Sequence, residues 1–241
     1  MRVVRSLKRE RWAFEKIKAW LTRRPRSQDA WHVSDLLYPR KAYFGRLDPK
    51  PITDKQALYF ILGHGHHHVI EAILGPKKSH DRTDAGEFLK KGIYFSPDLR
   101  LPFPLEIKTT RLQKAPDDPG GWKPERAYES YLKQEGSYQA LMKKSMGALL
   151  VLFLGRRKPG GWGTEPALRF YKIHMTPQER RKKIKDLVAL AAKLTKAVKR
   201  RKLGDLPLCP AGFCTDCLWL KKCAPWKLDP KRKNLQKITQ K

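Results

Sequence analysis

The spacing of hydrophobic residues along the chain changes from helical to strand-like. The segments "WAFEKIKAWL" and "DKQALYFILGHGHHHVIEAIL" predict a helix near the N-terminus and a long apolar helix from about Asp54. The shorter runs "KGIYFSPDL" and "FPLEIKTTR" are rich in residues that favour strands and are interrupted by proline. We therefore expect helices in the first third of the chain and short strands after them.

The second half of the chain repeats this change of spacing. The segment "ERAYESYLKQEGSYQALMKKS" has helical spacing, and "GALLVLFLG" and "ALRFYKI" are typical of strands. A further helix should begin after Thr176, because Thr176 and Glu179 form a capping box and a proline occupies the first helical position. The predicted order of elements is helix, strands, helix, strands, and then this last helix.

Changes in composition divide the chain into four parts. We expect a basic helical segment at residues 1–32, a main body at 33–205, a cysteine-containing segment at 206–228 and a basic tail at 229–241. The cysteine-containing segment has no apolar core of its own, so we expect a bound metal to provide most of its stability.

The chain carries a large positive charge. Its 53 lysines and arginines exceed its 23 aspartates and glutamates, which gives a net charge of +30. This surplus is far beyond what solubility requires and indicates a polyanionic partner. Nucleic acid is favoured over a membrane because no apolar run reaches transmembrane length. The N-terminus also lacks the apolar stretch of a secretory signal, so we expect a cytoplasmic protein.

Two acids and a lysine interrupt a run that is otherwise typical of a buried strand. Glu106 and Lys108 are two residues apart, so in a strand they project to one face while Leu105 and Ile107 face the other. A buried salt bridge by itself would stabilise the fold poorly. Carboxylates can instead converge on Mg²⁺, while a nearby ammonium orients or deprotonates a water molecule. The alternative is a solvated edge strand whose Glu106 and Lys108 simply face water.

These residues resemble the signature of a known nuclease superfamily. Pro97 and Asp98, followed by Glu106, Ile107 and Lys108, are similar to the motif after which the PD-(D/E)XK nucleases are named. The signature alone is short and degenerate, and further matches in the same order are needed to support it.

Two further motifs match the RecB-like branch of that superfamily. Gly63, His67 and Glu71 resemble its first motif, in which a glycine precedes a metal-binding histidine by four positions and an acid follows by four more. Gln134 and Tyr138 match its Gln-x-x-x-Tyr motif. Of the four clustered histidines, we predict His67 as the ligand because it has this spacing and shares a helix face with Glu71.

The resemblance implies a fold and an activity. The fold would be an α/β restriction-endonuclease-like core at residues 33–205, in which helices flank a mixed central β-sheet with the active site at the sheet edge. The activity would be that of a metal-dependent DNA exonuclease. Mg²⁺ or Mn²⁺ would be bound by His67, Asp98, Glu106 and the backbone carbonyl of Ile107, and Lys108 would orient or activate the attacking water.

Two alternatives to an exonuclease remain open. The chain could be a structure-selective or restriction-type endonuclease, which an assay on circular DNA would distinguish. It could also be a DNA-binding module with a structural metal and a lapsed catalytic site. The presence of the complete set of motifs argues against the second alternative.

The cysteines form a separate candidate site near the C-terminus. Cys209, Cys214, Cys217 and Cys223 fall within fifteen residues, a spacing that suits either tetrahedral Zn²⁺ or a 4Fe-4S cluster. The resemblance to the CRISPR-associated four-cysteine exonucleases favours iron and sulfur. The chain departs from those proteins at Tyr38, where they have their N-terminal cysteine, and we expect Cys209 to replace it.

Basic residues interspersed with aromatic residues predict contacts to DNA phosphates and bases. No helix-turn-helix or other base-reading motif is present, so we expect binding that is largely independent of sequence. The predicted contacts are Arg40, Lys41, Arg111, Lys114, Arg156 and Arg157.

Overall fold

A computed structural model describes most of the chain. Three of the predicted site residues, Arg111, Lys114 and Cys214, lie outside the described residues. The described ranges are 7–22, 29–74, 87–110, 128–157, 164–204, 206–209 and 217–223.

The helices begin and end close to where the hydrophobic pattern predicts them. The capping box at Thr176 is confirmed, because its side chain accepts a hydrogen bond from the backbone N–H of Glu179 at 3.2 Å. None of the helices in the described ranges is long and apolar enough to cross a membrane. The described helices are α1 (Leu7–Thr22), α2 (Val33–Leu37), α3 (Pro39–Leu47), α4 (Asp54–Leu74), α5 (Glu129–Met142), α6 (Pro177–Arg200) and α7 (Leu220–Cys223).

The described strands form two mixed sheets. The first has the order β1-β3-β2 and the second the order β4-β5-β6-β7. In each sheet one pair of neighbouring strands is parallel, β1 with β3 and β5 with β6, and the remaining pairs are antiparallel. The strands are β1 (Trp31–His32), β2 (Phe88–Lys90), β3 (Ile93–Phe95), β4 (Leu99–Arg100), β5 (Pro104–Thr110), β6 (Met146–Arg157) and β7 (Thr164–His174).

The fold class is therefore α/β, with helices flanking mixed sheets, as the sequence predicts. The single central sheet of that prediction is divided in two among the described residues. The division falls between β3 and β4, where Pro97 cannot donate a ladder hydrogen bond.

Helices cover both faces of the second sheet. On one face Leu105 and Ile107 of β5 form an apolar cluster with residues of β4 and β6, and Ile70 of α4 packs against it. On the other face Leu149 and Val151 of β6 pack against the start of α5. The predicted alternation of β5 is thus confirmed. Its apolar residues face α4, whereas Glu106 and Lys108 face α5.

The C-terminal segment docks on α3 through a buried tryptophan. Trp219 is 7% exposed, and its Nε1 donates a hydrogen bond to the carbonyl of Asp48 at 3.0 Å. The Asp48 carboxylate also accepts a hydrogen bond from Lys222 at 2.6 Å. Residues 217–223 therefore bury apolar surface against α3, and the expectation that bound metal provides most of this segment's stability stays a prediction. The sequence prediction missed Trp219 because its burial depends on distant residues.

Candidate active site

The paired Glu106 and Lys108 lie in the layer between β5 and α5. Because β5 is an inner strand of its sheet, both residues are covered rather than solvated. Glu106 is 1% exposed and Lys108 is half-buried, with its Nζ 5.5 Å from the centre of the Tyr131 ring. The Lys108 ammonium donates a hydrogen bond to Oε1 of Glu106. The alternative of a solvated edge strand is therefore wrong for this pair.

Burial and charge act in opposite directions on these two groups. Burial raises the pKa of Glu106, and the charge of Lys108 partly offsets that effect. For Lys108, burial favours the neutral amine, but the carboxylates of Glu106 and Asp98 outweigh it and raise the pKa of Lys108 above its usual value. Lys108 is therefore a half-buried cation that is held in its charged form.

Asp98 is tied to the same strand by a backbone hydrogen bond. It directly precedes β4, and its Oδ2 accepts a hydrogen bond from the N–H of Ile107 at 2.6 Å. Ile107 lies between Glu106 and Lys108 in sequence, so this bond places the Asp98 carboxylate at the level of the buried pair. The turn between β4 and β5 thereby brings together the two parts of the predicted motif.

Asp98 also forms a potential metal site with two residues of α4. Ligand atoms of His67, Glu71 and Asp98 all lie within 4.8 Å of one another, and Nδ1 of His67 is 3.8 Å from Oδ1 of Asp98. His67 and Glu71 are one helical turn apart, which places both on the face of α4 that meets Asp98. No other group of three potential ligands from histidine, cysteine, aspartate or glutamate occurs within the described ranges.

The imidazole of His67 is suited to metal binding. Burial lowers its pKa, Asp98 opposes this effect, and the nearby cationic Lys108 lowers the pKa further. A neutral imidazole is the form that ligates metals. Together with two carboxylates it provides a nitrogen and oxygen donor set that fits a divalent cation such as Mn²⁺.

The potential ligand group differs in one member from the predicted set. Glu71 belongs to the group, whereas Glu106 does not. One oxygen of Glu106 accepts from Lys108, and the other is buried with no hydrogen-bond partner among the described residues. The signal for Glu71 was present in the sequence as the spacing of four residues from His67.

The other clustered histidines lie outside this group. The ring of His64 meets Trp20 of α1 edge to face, with ring centroids 6.2 Å apart. His66 and His68 are not among the three grouped residues, although Nδ1 of His68 is 3.8 Å from Oε2 of Glu71. Of the four candidates, the structure brings only His67 into the potential metal site.

The side chains of Gln134 and Tyr138 form a hydrogen bond with each other. Nε2 of Gln134 donates a hydrogen bond to the Tyr138 hydroxyl at 2.7 Å. Tyr138 is buried against Phe95, and burial together with the charge of Glu106 raises its pKa well above the usual value. Its hydroxyl therefore stays protonated beside the carboxylates of the site.

A buried acid of α5 was missed by sequence reasoning. Glu135 is 0% exposed and lies against Gly147, where a Cβ would come within 2.0 Å of its Oε1. Burial raises the pKa of Glu135 to about 9, and the charge of Glu106 adds to the effect. The nearby N–H of Ala148 lowers the pKa of Glu135 and so opposes part of this rise. Neither carboxylate oxygen of Glu135 has a well-formed hydrogen bond to a described residue. In the sequence Glu135 lies between the motif residues Gln134 and Tyr138, and nothing in the motif indicates that it is buried.

The described cysteines do not form a metal-ligand group among themselves. Cys209, Cys217 and Cys223 are partly buried, and they are not close enough to constitute a group of three ligands. Burial raises the pKa of Tyr38 to about 12. Cys209 contributes to this rise in pKa, which indicates that it lies near Tyr38. The expectation that Cys209 replaces the N-terminal cysteine as a ligand stays a prediction. The four-cysteine site stays a prediction.

The predicted DNA contacts are only partly described. Arg40 is buried, and its Nε donates a hydrogen bond to the carbonyl of Leu206 at 2.9 Å. The guanidinium therefore holds Leu206 against α3, and its burial does not favour the predicted DNA contact. Lys41 is exposed. The backbones of Arg156 and Arg157 are part of β6, but their side chains lie outside the described part of the structure.

Comparison with known proteins shows similarity of fold without similarity of sequence. No protein-family model matches the chain, and no curated protein matches it significantly. The chain is similar to the crystal structure of SSO0001, with a TM-score of 0.56 and 19% identity over 89% of this chain and 94% of the other. At this level of identity the similarity establishes the fold and nothing further.

A second solved structure is more distant. It is a phage-related exonuclease from Haemophilus somnus 129PT, which matches with a TM-score of 0.48 and 12% identity over 71% of this chain and 96% of the other. A TM-score below 0.5 does not establish a common fold.

The grouping of His67, Glu71 and Asp98 predicts that Glu71 contributes to divalent metal affinity. Glu71→Gln should raise the dissociation constant for Mn²⁺ at least about tenfold, because it removes one of two anionic ligands. His64→Ala is the matched control and should bind Mn²⁺ like the wild type. Titration calorimetry measures both. Equal affinity in the Glu71 variant and the wild type would contradict this ligand assignment.

The raised pKa of Glu135 predicts a pH-dependent stability in metal-free buffer. The unfolded chain releases this proton near pH 4.5 and the folded chain only near pH 9, so stability should fall as the pH rises between these values. Glu135→Gln cannot ionise and should lose that part of the pH dependence. Urea unfolding at pH 6 and pH 8.5 in EDTA measures the difference. If the variant and the wild type lost the same stability over this interval, Glu135 would not carry the proton.

Proposed function

We propose that this protein is a metal-dependent deoxyribonuclease of the PD-(D/E)XK type, most similar to the RecB-like branch. The main support is that three potential metal ligands lie beside the ion pair of Lys108 and Glu106. Asp98 joins the two parts, because one of its oxygens faces His67 and the other accepts from the strand that bears Lys108. A divalent metal and a cation next to the scissile phosphate together provide the electrostatic stabilisation that promotes phosphodiester hydrolysis.

The residues present fit the implied metal. His67, Glu71 and Asp98 would hold Mg²⁺ or Mn²⁺, and Glu106 would join them through its oxygen that lacks a described partner. The backbone carbonyl of Ile107 remains a proposed ligand from the sequence motif. When bound, the metal would polarise the scissile phosphate and lower the pKa of the attacking water.

Lys108 would act as a fixed cation. Because Glu106 and Asp98 hold its pKa high, the ammonium is suited to orient the water and to stabilise the charge that develops on the phosphate. The sequence predicts that Lys108 either orients the attacking water or accepts a proton from it. The raised pKa of Lys108 favours the first role, because a charged ammonium cannot accept a proton. Gln134 and Tyr138, bonded to each other on α5, would position the phosphate or the metal ligands from the covering helix.

We propose DNA as the substrate, bound with little dependence on sequence, and cleavage from its ends. The net charge of +30 supports a polyanionic substrate. Residues 33–205 would form the nuclease core. An endonuclease with the same site is the second candidate. A DNA-binding module without catalysis is disfavoured by the burial of Glu106 and Lys108, since such a pair contributes little stability that an apolar pair would not.

We further propose that Cys209, Cys214, Cys217 and Cys223 hold a 4Fe-4S cluster, with Zn²⁺ as the alternative. The density of cysteines in the sequence supports this proposal. The metal would act together with Trp219 in holding the C-terminal segment on α3. A role in the hydrolysis itself is not required.

Substitutions at the site should separate catalysis from DNA binding. Lys108→Ala and Asp98→Asn should each reduce cleavage at least about a thousandfold with little change in DNA affinity, because these groups act on the transition state. Lys144→Ala removes an exposed lysine and should leave cleavage unchanged. The substrates are end-labelled linear DNA and closed circular DNA, each with Mg²⁺, Mn²⁺ or EDTA.

Each outcome of that assay has a definite meaning. Metal-dependent loss of linear DNA with intact circles supports the exonuclease, and cutting of circles supports the endonuclease. Cleavage of wild-type rate in either site variant would overturn the site assignment. Binding without cleavage under every metal condition would leave only the DNA-binding module.

The metal content of protein purified without oxygen tests the cysteine site. A 4Fe-4S cluster should give a brown protein that absorbs near ~400 nm, whereas Zn²⁺ should give a colourless protein with about one equivalent of zinc by elemental analysis. Cys217→Ala should lose most of this metal. A colourless protein without iron or zinc would rule out both versions.

A further inference from the structure

The outer surface of α6 carries a row of cations that no part of the proposed active site uses. We name this row the α6 ridge. All of its members are exposed on the described chain, and they occur in two groups separated by Val188, Ala189 and Ala192. The ridge consists of Arg181, Lys182, Lys185, Lys193, Lys196, Lys199 and Arg200.

The helical period explains why these residues share one side. Leu187, Leu194 and Ala197 are the buried residues of α6, and they pack into the main apolar cluster. The ridge residues lie on the remaining surface of a helix with 3.6 residues per turn. From Arg181 to Arg200 the ridge extends for roughly 28 Å at 1.5 Å per residue.

The charge of the ridge is poorly balanced by acids. Within α6 only Glu179 and Asp186 are acidic. The carboxylate of Glu179 is already bonded to Thr176 in the capping box. No ion pair links a ridge residue to an acid among the described residues. Seven cations on one exposed helix surface repel one another, which costs stability unless a polyanion binds there.

The ridge lies on the far side of α5 from the candidate active site. One side of α5 meets Lys108 through Tyr131, and α6 packs against another side, where Gly136 of α5 lies against Met175, just before α6. Since packed helix axes are ~8–10 Å apart, a full helix layer separates the ridge from the Lys108–Glu106 pair. A phosphate bound at the ridge is therefore not the phosphate being cleaved.

We propose that the α6 ridge binds the phosphate backbone of duplex DNA at a distance from the point of cleavage. A duplex presents one phosphate charge for every ~1.7 Å of its axis, so it meets a row of cations along its whole length without specific side-chain matching. An acidic protein would need carboxylates at corresponding positions. The proposal rests on the proposed function only for the identity of the polyanion. It adds a second contact that would keep the enzyme on its substrate between cleavage events.

A quadruple variant of the C-terminal group tests the ridge. It combines Lys193→Gln, Lys196→Gln, Lys199→Gln and Arg200→Gln, which retain helix-forming side chains and remove four charges. Binding of duplex DNA is measured by fluorescence anisotropy across a salt series, in EDTA and with Asp98→Asn present in every protein. Because no cleavage occurs under these conditions, the result does not depend on whether the protein is a nuclease.

The control removes the same number of charges at exposed positions elsewhere. It combines Arg11→Gln, Lys16→Gln, Lys144→Gln and Lys172→Gln. The ridge variant should bind at least about tenfold more weakly than the control, and its log–log salt slope should be smaller by about one unit for each DNA phosphate that the variant no longer neutralises. Circular dichroism checks the helix content of both proteins.

The remaining outcomes decide against the proposal. Equal loss of affinity in the ridge variant and the control would show an effect of net charge alone. Unchanged affinity in the ridge variant would show that the ridge does not bind DNA and would leave an acidic protein as its partner. If the quadruple variant fails to fold, Arg181→Gln with Lys182→Gln and Lys185→Gln tests the N-terminal group. Its control also removes three charges, by Arg11→Gln with Lys144→Gln and Lys172→Gln.

Discussion

The buried contact between Lys108 and Glu106 is the constraint on which the rest of the site depends. Removing charged groups from water costs free energy that their attraction seldom repays in full. The protein nevertheless keeps both on an inner strand, beneath α5, with Asp98 fixed to the same strand by a backbone hydrogen bond. Removing one partner of such a pair typically costs about 3–5 kcal/mol, because the other charge is left uncompensated. This arrangement is explained if the charges are needed for chemistry.

The two faces of β5 contribute different residues to the site. The apolar side of β5 packs towards α4, whose turn at His67 and Glu71 meets Asp98. The polar side packs towards α5, which adds Tyr131 and the buried Glu135. Four acidic side chains, those of Glu71, Asp98, Glu106 and Glu135, thus lie with one ammonium near the imidazole of His67. Burial raises the pKa of Glu106 and of Glu135, and a divalent cation would favour their ionised forms, which connects the electrostatics of the site with the proposed chemistry.

Features that depend on local spacing could be predicted from the sequence. The two faces of β5, the capping box at Thr176 and the long helix from Asp54 follow from residues close together in the chain, and the structure confirms them. Features that depend on distant residues could not be predicted. The burial of Trp219 requires α3, and the burial of Arg40 requires Leu206. Glu71 is intermediate, since its spacing was visible but its proximity to Asp98 required the fold.

We propose that His67, Glu71 and Asp98 bind one divalent cation beside Lys108 and Glu106. Anomalous diffraction from crystals grown with Mn²⁺ tests it most directly, because the signal locates the metal without reference to activity. We expect a peak at coordination distance from all three residues. A peak only at the cysteines, or none at this group at saturating Mn²⁺, would contradict it.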